Sequence, residues 1–185
     1  MSILKSVKAG KYSRYTVKPL TKLQLERIIG LEVDKNGINC DLNHIDTSEI
    51  KDMSFLFAFS KFNGDISGWD VSNVIDMTSM FQSSHFNGNI EEWDVRKVKN
   101  ANKMFLSSKF NKNINKFNFE NLRHASYMFE NSKFNKDITM LKFPKLEFAD
   151  GMFTNTKISM DNVLKIKENM PCIRNYMVLK HEFYI

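Results

Sequence analysis

The chain has 185 residues, of which 42% are hydrophobic and 12% aromatic, so it can bury the core of one domain of ordinary size. Its seven glycines and three prolines argue against a disordered or linker-rich chain. No apolar run reaches the roughly 18 residues that span a bilayer, which excludes a membrane helix. Two cysteines, Cys40 and Cys172, are too few for a disulfide scaffold and lack the spacing of metal ligands.

The first 37 residues predict a basic arm followed by an N-terminal cap helix. The net charge is +6, and the stretch from Met1 to Leu25 carries six basic residues and no acidic one. Such an arm favours an acidic partner or nucleic acid, or serves only to keep the protein soluble. Thr21 and Gln24 fit a capping box, Leu20 and Leu25 fit a hydrophobic staple, and Gly30 fits a helix stop, so we predict a helix over 22–29.

The middle of the chain, residues 38–158, repeats at an offset of 24 residues without insertion or deletion. The clearest repeated pair is Leu56-Phe57, Met80-Phe81, Met104-Phe105, Met128-Phe129 and Met152-Phe153. A second repeated pair is Phe62-Asn63, Phe86-Asn87, Phe110-Asn111 and Phe134-Asn135. Each such set of equivalent positions is called a column below. We expect the Phe columns to stack inside the protein, and the Asn column to form a ladder whose side chains bond turn backbone.

The spacing inside one repeat predicts both a short helix and a short strand. Val74, Met77, Met80 and Phe81 lie on one face of a helix of about two turns. Trp69 and Val71 alternate with polar residues, as in a half-buried strand. The predicted fold class is therefore an α/β repeat solenoid with a helical N-terminal cap, because stacking buries what one unit leaves exposed.

The phrases NCDLNHIDTSEIKDMSFLF (39–57) and FNGDISGWDVSNVIDMTSMF (62–81) resemble the BspA-like family. This family is a branch of the leucine-rich-repeat proteins that is also described as a mycoplasma domain of unknown function. The resemblance implies a leucine-rich-repeat-like solenoid with short strands on one face and short helices on the other. Many relatives are bacterial surface proteins implicated in adhesion.

Residues 159–185 predict a C-terminal cap helix and an apolar tail. Ser159 can cap a helix over 160–170 that ends at Pro171, with Val163, Ile166 and Met170 facing inward. The tail, 176–185, fits a strand that closes the stack or a surface for self-association.

No catalytic motif, cofactor motif or metal-ligand spacing occurs in the sequence, so we predict a non-enzymatic protein without cofactor or metal. The favoured function is a protein-binding module that uses the solenoid surface. The richness in Lys, Asn, Ile and Phe suits an AT-rich genome, including that of a phage or virus acting on a host or structural partner. An exported adhesin of BspA type and nucleic-acid binding through the basic arm stay open. The start of the sequence lacks a secretory signal, which predicts an intracellular protein, with the cell surface or a removed signal as the alternative.

The predicted strand face supplies the candidate site, because repeat proteins of this kind usually bind there. Its partner-binding residues are Asp46, Asp70, Asp94, Arg96, Lys116, Asn118 and Lys142. Its central column changes from aspartate at Asp46 to lysine at Lys142, a gradient that orients a charged partner. Two interpretations of the aspartates stay open. Each caps a turn by accepting the backbone N–H two residues on, or together they form an acidic patch for a basic partner or a cation.

Overall fold

The computed structural model describes residues 16–167 and Met170, and it places two helices at the ends of this range. Helix α1 is Lys22–Asn36 and helix α2 is Met160–Lys167. Between the helices, segments of 24 residues lie on one another in parallel register, and we call each of them a layer. Single parallel bridges join successive layers, in one column formed by Asp52, Asp76, Asn100, His124 and Phe148. The N-terminal segment covers the first layer, where Val17 bridges to Ile45.

The predicted α/β solenoid, with strands on one face and short helices on the other, is wrong. In the described part of the chain, the layers contain no strand beyond isolated bridges and no helix; α1 and α2 are the two helices there. The columns that were expected to be buried are nevertheless buried. The error therefore concerns the backbone conformation and not the choice of core residues.

The predicted strand is replaced by a series of tight turns. The N–H of Trp69 donates to the carbonyl of Ile66 at 3.1 Å, and the N–H of Val74 donates to the carbonyl of Val71 at 2.9 Å. The N–H of Ser72 donates to the side-chain carboxylate of Asp70. Because these donors close local turns, they do not form a ladder with a neighbouring layer. The side chains still alternate, with Trp69 and Val71 buried between half-buried polar residues.

The predicted helix over residues 74–81 is also replaced by turns. The N–H groups of Met77, Ser79 and Phe81 donate to carbonyls of the next layer, at Asn100, Asn102 and Met104. The N–H groups of Met80 and Gln82 instead donate to the carbonyls three residues earlier in the same layer, at Met77 and Ser79. Ser79 and Ser83 have φ of 55° and 53°, in the left-handed region that a right-handed helix excludes. The backbone therefore joins the layers at alternate residues.

Helix α1 is longer than predicted. Gly30 lies inside it, and Gly37, with φ of 85°, follows its last residue, so the predicted stop at Gly30 is wrong. The predicted cap is confirmed, because the Thr21 hydroxyl accepts the N–H of Gln24 at 3.3 Å. Leu25 and Ile29 are the buried residues of this helix, whereas Leu23 is 75% exposed.

Helix α2 begins where predicted, and the Ser159 hydroxyl accepts the N–H of Asn162 at 3.3 Å. Val163, Ile166 and Met170 are buried, as expected for the inward face. Residues 168 and 169, Pro171 and the predicted apolar tail lie outside the described residues, as does Cys172.

Two columns of stacked phenylalanine rings form the centre of the core. The first column has ring-centroid distances of 5.7, 5.5, 5.3 and 5.7 Å and consists of Phe57, Phe81, Phe105, Phe129 and Phe153. The second has distances of 6.3, 6.4 and 6.1 Å and consists of Phe62, Phe86, Phe110 and Phe134. Within a layer the two rings lie 4.3–4.8 Å apart, as in the pairs Phe105–Phe110 and Phe57–Phe62. All nine rings are at most 2% exposed.

The Asn column forms a ladder between layers. The side-chain oxygen of Asn63 accepts the N–H of Asn87 at 2.7 Å, and the same bond runs from Asn111 to Asn87 at 2.8 Å. It runs again from the N–H of Asn135 to Asn111 at 3.1 Å. The Asn column therefore forms a ladder, but the predicted partner is wrong, because each side chain bonds the backbone of the next layer and not the turn beside it.

Replacing Phe105 should remove the middle of the first ring column. Phe105→Ala should lower the free energy of unfolding by about 3–5 kcal/mol, the usual loss for a buried Phe. Phe59→Ala is the control, because Phe59 is 70% exposed, and its effect should stay within about 0.5 kcal/mol. Denaturant unfolding curves measure both. A loss below about 1 kcal/mol at Phe105 would contradict a core built on stacked rings.

Removing one rung of the Asn ladder should have a measurable cost. Asn111→Ala removes the acceptor for the N–H of Asn135, so we expect a loss of about 1 kcal/mol in unfolding free energy. Asn135→Ala is the matched control, because its side-chain oxygen accepts no bond from any described residue. Asn111→Asp keeps an acceptor and should recover part of the loss. Equal losses for the two alanine variants would show that the ladder does not stabilise the stack.

Candidate partner-binding face

The predicted site residues lie on one side of the stack, which we call the candidate face. Asp46, Asp70 and Asp94 are half-buried, and the other members are exposed: Arg96, Lys116, Asn118 and Lys142. Four members of the set meet around one shallow depression, Asp94, Arg96, Lys116 and Asn118. Asp46, Asp70 and Lys142 are not among the residues that line it. The structure thus brings together the middle of the predicted site.

All three aspartates of the candidate face cap turns. The carboxylates of Asp46 and Asp70 each accept the N–H of the serine two residues on, at 3.0 Å. The carboxylate of Asp94 accepts the N–H of Arg96 at 3.2 Å. The turn-capping interpretation of these residues is therefore confirmed. Their side chains have fixed orientations, because each is tied to its own backbone.

Ion pairs compensate much of the charge on the candidate face. Lys18 of the basic arm lies 3.3 Å from Asp46, and Arg96 contacts Asp94 at 2.7 Å. Lys116 pairs with Glu92 of the preceding layer. Hydrogen bonds from the Arg96 side chain hold the pKa of the Asp94 carboxyl below its usual range. Asp70 forms no ion pair with any described residue, so it carries the uncompensated negative charge of this face.

The acidic-patch interpretation finds little support. Two of the three aspartates carry a basic partner, which leaves no continuous negative surface. Within residues 16–167 and Met170, no three His, Cys, Asp or Glu side chains are arranged to hold a metal ion. The candidate face therefore presents mostly paired charges, and the carboxylate of Asp70 is the one aspartate of the set without a basic partner among the described residues.

Sequence reasoning missed two sets of contacts. The Glu92–Lys116 pair joins equivalent positions of adjacent layers, so opposite charges at the repeat offset could have revealed it. The contacts of the basic arm had no such signal, because the arm lies outside the repeat. Lys18 also pairs with Glu49 at 3.1 Å, and Lys22 donates to the Ser54 hydroxyl at 2.8 Å. These ion pairs and the hydrogen bond therefore fix the described part of the arm against the first layer.

Comparisons with known proteins give a family without a known activity. No curated protein and no solved structure matches the chain. In the described part of the chain, neither helix is long and apolar enough to cross a membrane. A family model described as "Mycoplasma protein of unknown function, DUF285" matches residues 31–140 and 62–167, which overlap and together cover most of the chain. The chain therefore belongs to the DUF285 family of Mycoplasma proteins of unknown function.

Proposed function

We propose that this chain is a non-enzymatic protein-binding module that uses the candidate face. The observation that carries the proposal is the fixed orientation of the turn-capping aspartates on this face, where Asp70 and Lys142 form no ion pair with any described residue. Successive layers hold Asp46, Asp70, Asp94, Asn118 and Lys142 at equivalent backbone positions above a fully buried core. Turn capping and ion pairs orient the side chains before a partner arrives, which lowers the ordering cost of binding.

Two features of the face suit a protein surface better than a small ligand. The depression beside Asp94 is open, and Trp93 and Val95 are the apolar residues in a lining that is otherwise polar or charged, whereas small-molecule sites are usually concave and mostly apolar. At the basic end of the face, Met140 is 70% exposed and lies two residues before Lys142 in the sequence. An exposed apolar side chain among charges is typical of the mixed composition of protein interfaces. Asp70 and Lys142 would then pair with opposite charges on the partner.

The BspA-like resemblance favours a second candidate function, adhesion at the cell surface. The motifs in 39–57 and 62–81 are the basis of the BspA-like resemblance, which is more specific than membership of the matched family. Cell fractionation separates the two candidates, because an adhesin is recovered with the envelope. Nucleic-acid binding by the basic arm would instead show as an affinity that falls steeply with salt. Self-association through the tail would show as a concentration-dependent mass in solution.

The charge and the turn-capping role of Asp70 can be separated by two substitutions. Asp70→Asn keeps the acceptor for the N–H of Ser72 and removes the charge, as Asn89 and Asn113 do elsewhere in the stack. We expect it to leave the melting temperature nearly unchanged and to weaken the partner several-fold. Asp70→Ala removes both the charge and the acceptor for the N–H of Ser72, so it should also lower the free energy of unfolding by about 1 kcal/mol. The partner is first recovered from the native host and identified by mass spectrometry, and its Kd is then measured by titration.

If Asp70→Asn binds the partner as tightly as the wild type, the free carboxylate does not take part in binding. Charge reversal at Lys142, at the far end of the face, then provides a second test. Unchanged affinity for both variants would overturn the proposal that this face is the binding surface.

A further inference from the structure

The layers are joined by main-chain hydrogen bonds that all run in one direction. In the layer around Phe105, four N–H groups at alternate residues donate to carbonyls of the next layer at 2.7–2.9 Å. Their donors are Ala101, Lys103, Phe105 and Ser107. The equivalent residues of the other layers form the same bonds wherever one layer follows another. Each layer therefore gives donors to the layer after it and receives donors from the layer before it.

The first layer has no layer before it, so its carbonyls in these columns receive no donor. We call them the acceptor row, and they are the carbonyls of Asp52, Ser54, Leu56 and Ala58. In every later layer the equivalent carbonyls accept an N–H. None of the four accepts a hydrogen bond from a residue that the structure describes. Asp52 is exposed and the other three residues are half-buried.

The backbone beside the acceptor row has no spare donor. Each N–H group of residues 53–60 already donates to a described residue, either in the next layer or within its own turn. The row can therefore bind only a group that donates. Ionised carboxylates and phosphates only accept, so acidic ligands do not fit it. A row of N–H donors in this register is what a polypeptide main chain supplies at each layer interface.

A second copy of this chain does not present such donors in its described residues. Its own acceptor row cannot pair with this one, because both rows only accept. In its last layer, the donors of these columns would be Ala149, Gly151 and Phe153, and all three residues are already buried within one chain. The N-terminal segment meets the first layer at another column, where Val17 bridges to Ile45. The fitting occupant is therefore a segment of a different protein.

Two exposed phenylalanines border the acceptor row. Phe55 and Phe59 are 56% and 70% exposed, and their φ values are 59° and 58°. Bulky side chains rarely adopt this left-handed region, so both positions are strained. The later layers have mostly small, polar or charged residues at these two columns: Ser79, Lys103, Tyr127 and Gly151, and Ser83, Ser107, Asn131 and Asn155. The pair of phenylalanines therefore occurs in the one layer whose carbonyls lack donors, and stacking of the layers does not require it.

Lys22 of α1 fixes one of these rings. Its ammonium lies 6.0 Å from the ring centroid of Phe55 and donates to the Ser54 hydroxyl at 2.8 Å. Phe55 stays more than half exposed beside it, so the helix borders the acceptor row without covering this ring. A ring that is held in place before a partner arrives loses less freedom on binding.

We propose that the acceptor row binds a hydrophobic segment of a partner protein, which continues the stack by one layer. Backbone N–H groups of the segment donate to the row, and its hydrophobic side chains pack on Phe55 and Phe59. The main-chain bonds give affinity, and the two rings select the segment. The inference goes beyond the proposed function, because it uses none of the residues of the candidate face.

A peptide with the sequence of residues 123–134 is the probe. In this chain that segment donates to the equivalent carbonyls of the next layer, and it places Tyr127 at the column of Phe55. Binding to the full chain is measured by fluorescence anisotropy. Methylation of the peptide's backbone nitrogens at Tyr127 and Phe129 removes two donors and should weaken binding by about tenfold. Methylation at Met128 and Glu130 is the control and should weaken it less, because these N–H groups donate within their own layer.

The rings are tested on the chain itself by Phe55→Ser with Phe59→Ser. This double variant copies Ser79 and Ser83 of the next layer, so we expect an unchanged or higher melting temperature by circular dichroism. Peptide affinity should fall by about tenfold, since exposed aromatic residues often dominate binding. Phe148→Ser is the control, because it removes an aromatic side chain that is 51% exposed and lies outside the row. It should leave the affinity nearly unchanged.

Four results would overturn the proposal. The first is failure of the unmodified peptide to bind, and the second is an equal loss for the two methylated peptides, because main-chain donors then contribute nothing. The third is an affinity that does not change in the double serine variant. The fourth is a concentration-dependent mass of the full chain in sedimentation that the double serine variant abolishes, which would assign the row to a second copy. The effect of Asp70→Asn on the native partner tests the candidate face separately, so the two proposals fail or stand independently.

Discussion

Stacking of phenylalanine rings across layers is the constraint on which the rest of the structure depends. Each layer must bring its rings to within 5.3–6.4 Å of the equivalent rings below, with almost no solvent exposure. Aromatic pairs at such distances gain energy beyond the burial of their area. An insertion of one residue in any layer would move a ring out of its column and open a cavity. The repeat therefore keeps a constant length, and every surface column inherits this register.

The sequence predicts the core well and the backbone poorly, for one physical reason. Periodicity reports which side chains are buried, as it does for Val74, Met77 and Phe81. It does not report where the N–H groups donate. A helix and a chain of turns can bury the same side chains, and the left-handed conformation at Ser79 and Ser83 decides between them. Serine itself gives no warning of that conformation, and the signal lies in later layers, where Gly151 and Asn131 adopt it at the positions equivalent to Ser79 and Ser83. Similarly, Gly30 and Gly37 both fit a helix stop, and the sequence does not rank them.

The candidate face was predictable in its exposure and less so in its charge. Alternation about Trp69 and Val71 placed the aspartates outward, and the structure keeps them half-buried and tied to their own turns. The neutralisation of Asp46 by Lys18 was not predictable, because the arm does not follow the repeat and its docking is a tertiary contact. Pairs such as Glu92 with Lys116 were predictable, since stacking makes residues at the repeat offset neighbours.

The candidate face separates what the scaffold requires from what it does not. Each aspartate of the central column accepts the backbone N–H two residues on, so replacement by alanine would lose that bond. The bond does not require a charge, because the neutral side chains of Asn89 and Asn113 accept the same kind of bond elsewhere in the stack. Lys18 and Arg96 compensate two of the three carboxylates, whereas Asp70 forms no ion pair with any described residue. Turn capping therefore does not account for the negative charge at Asp70, and a positively charged group on a partner does account for it.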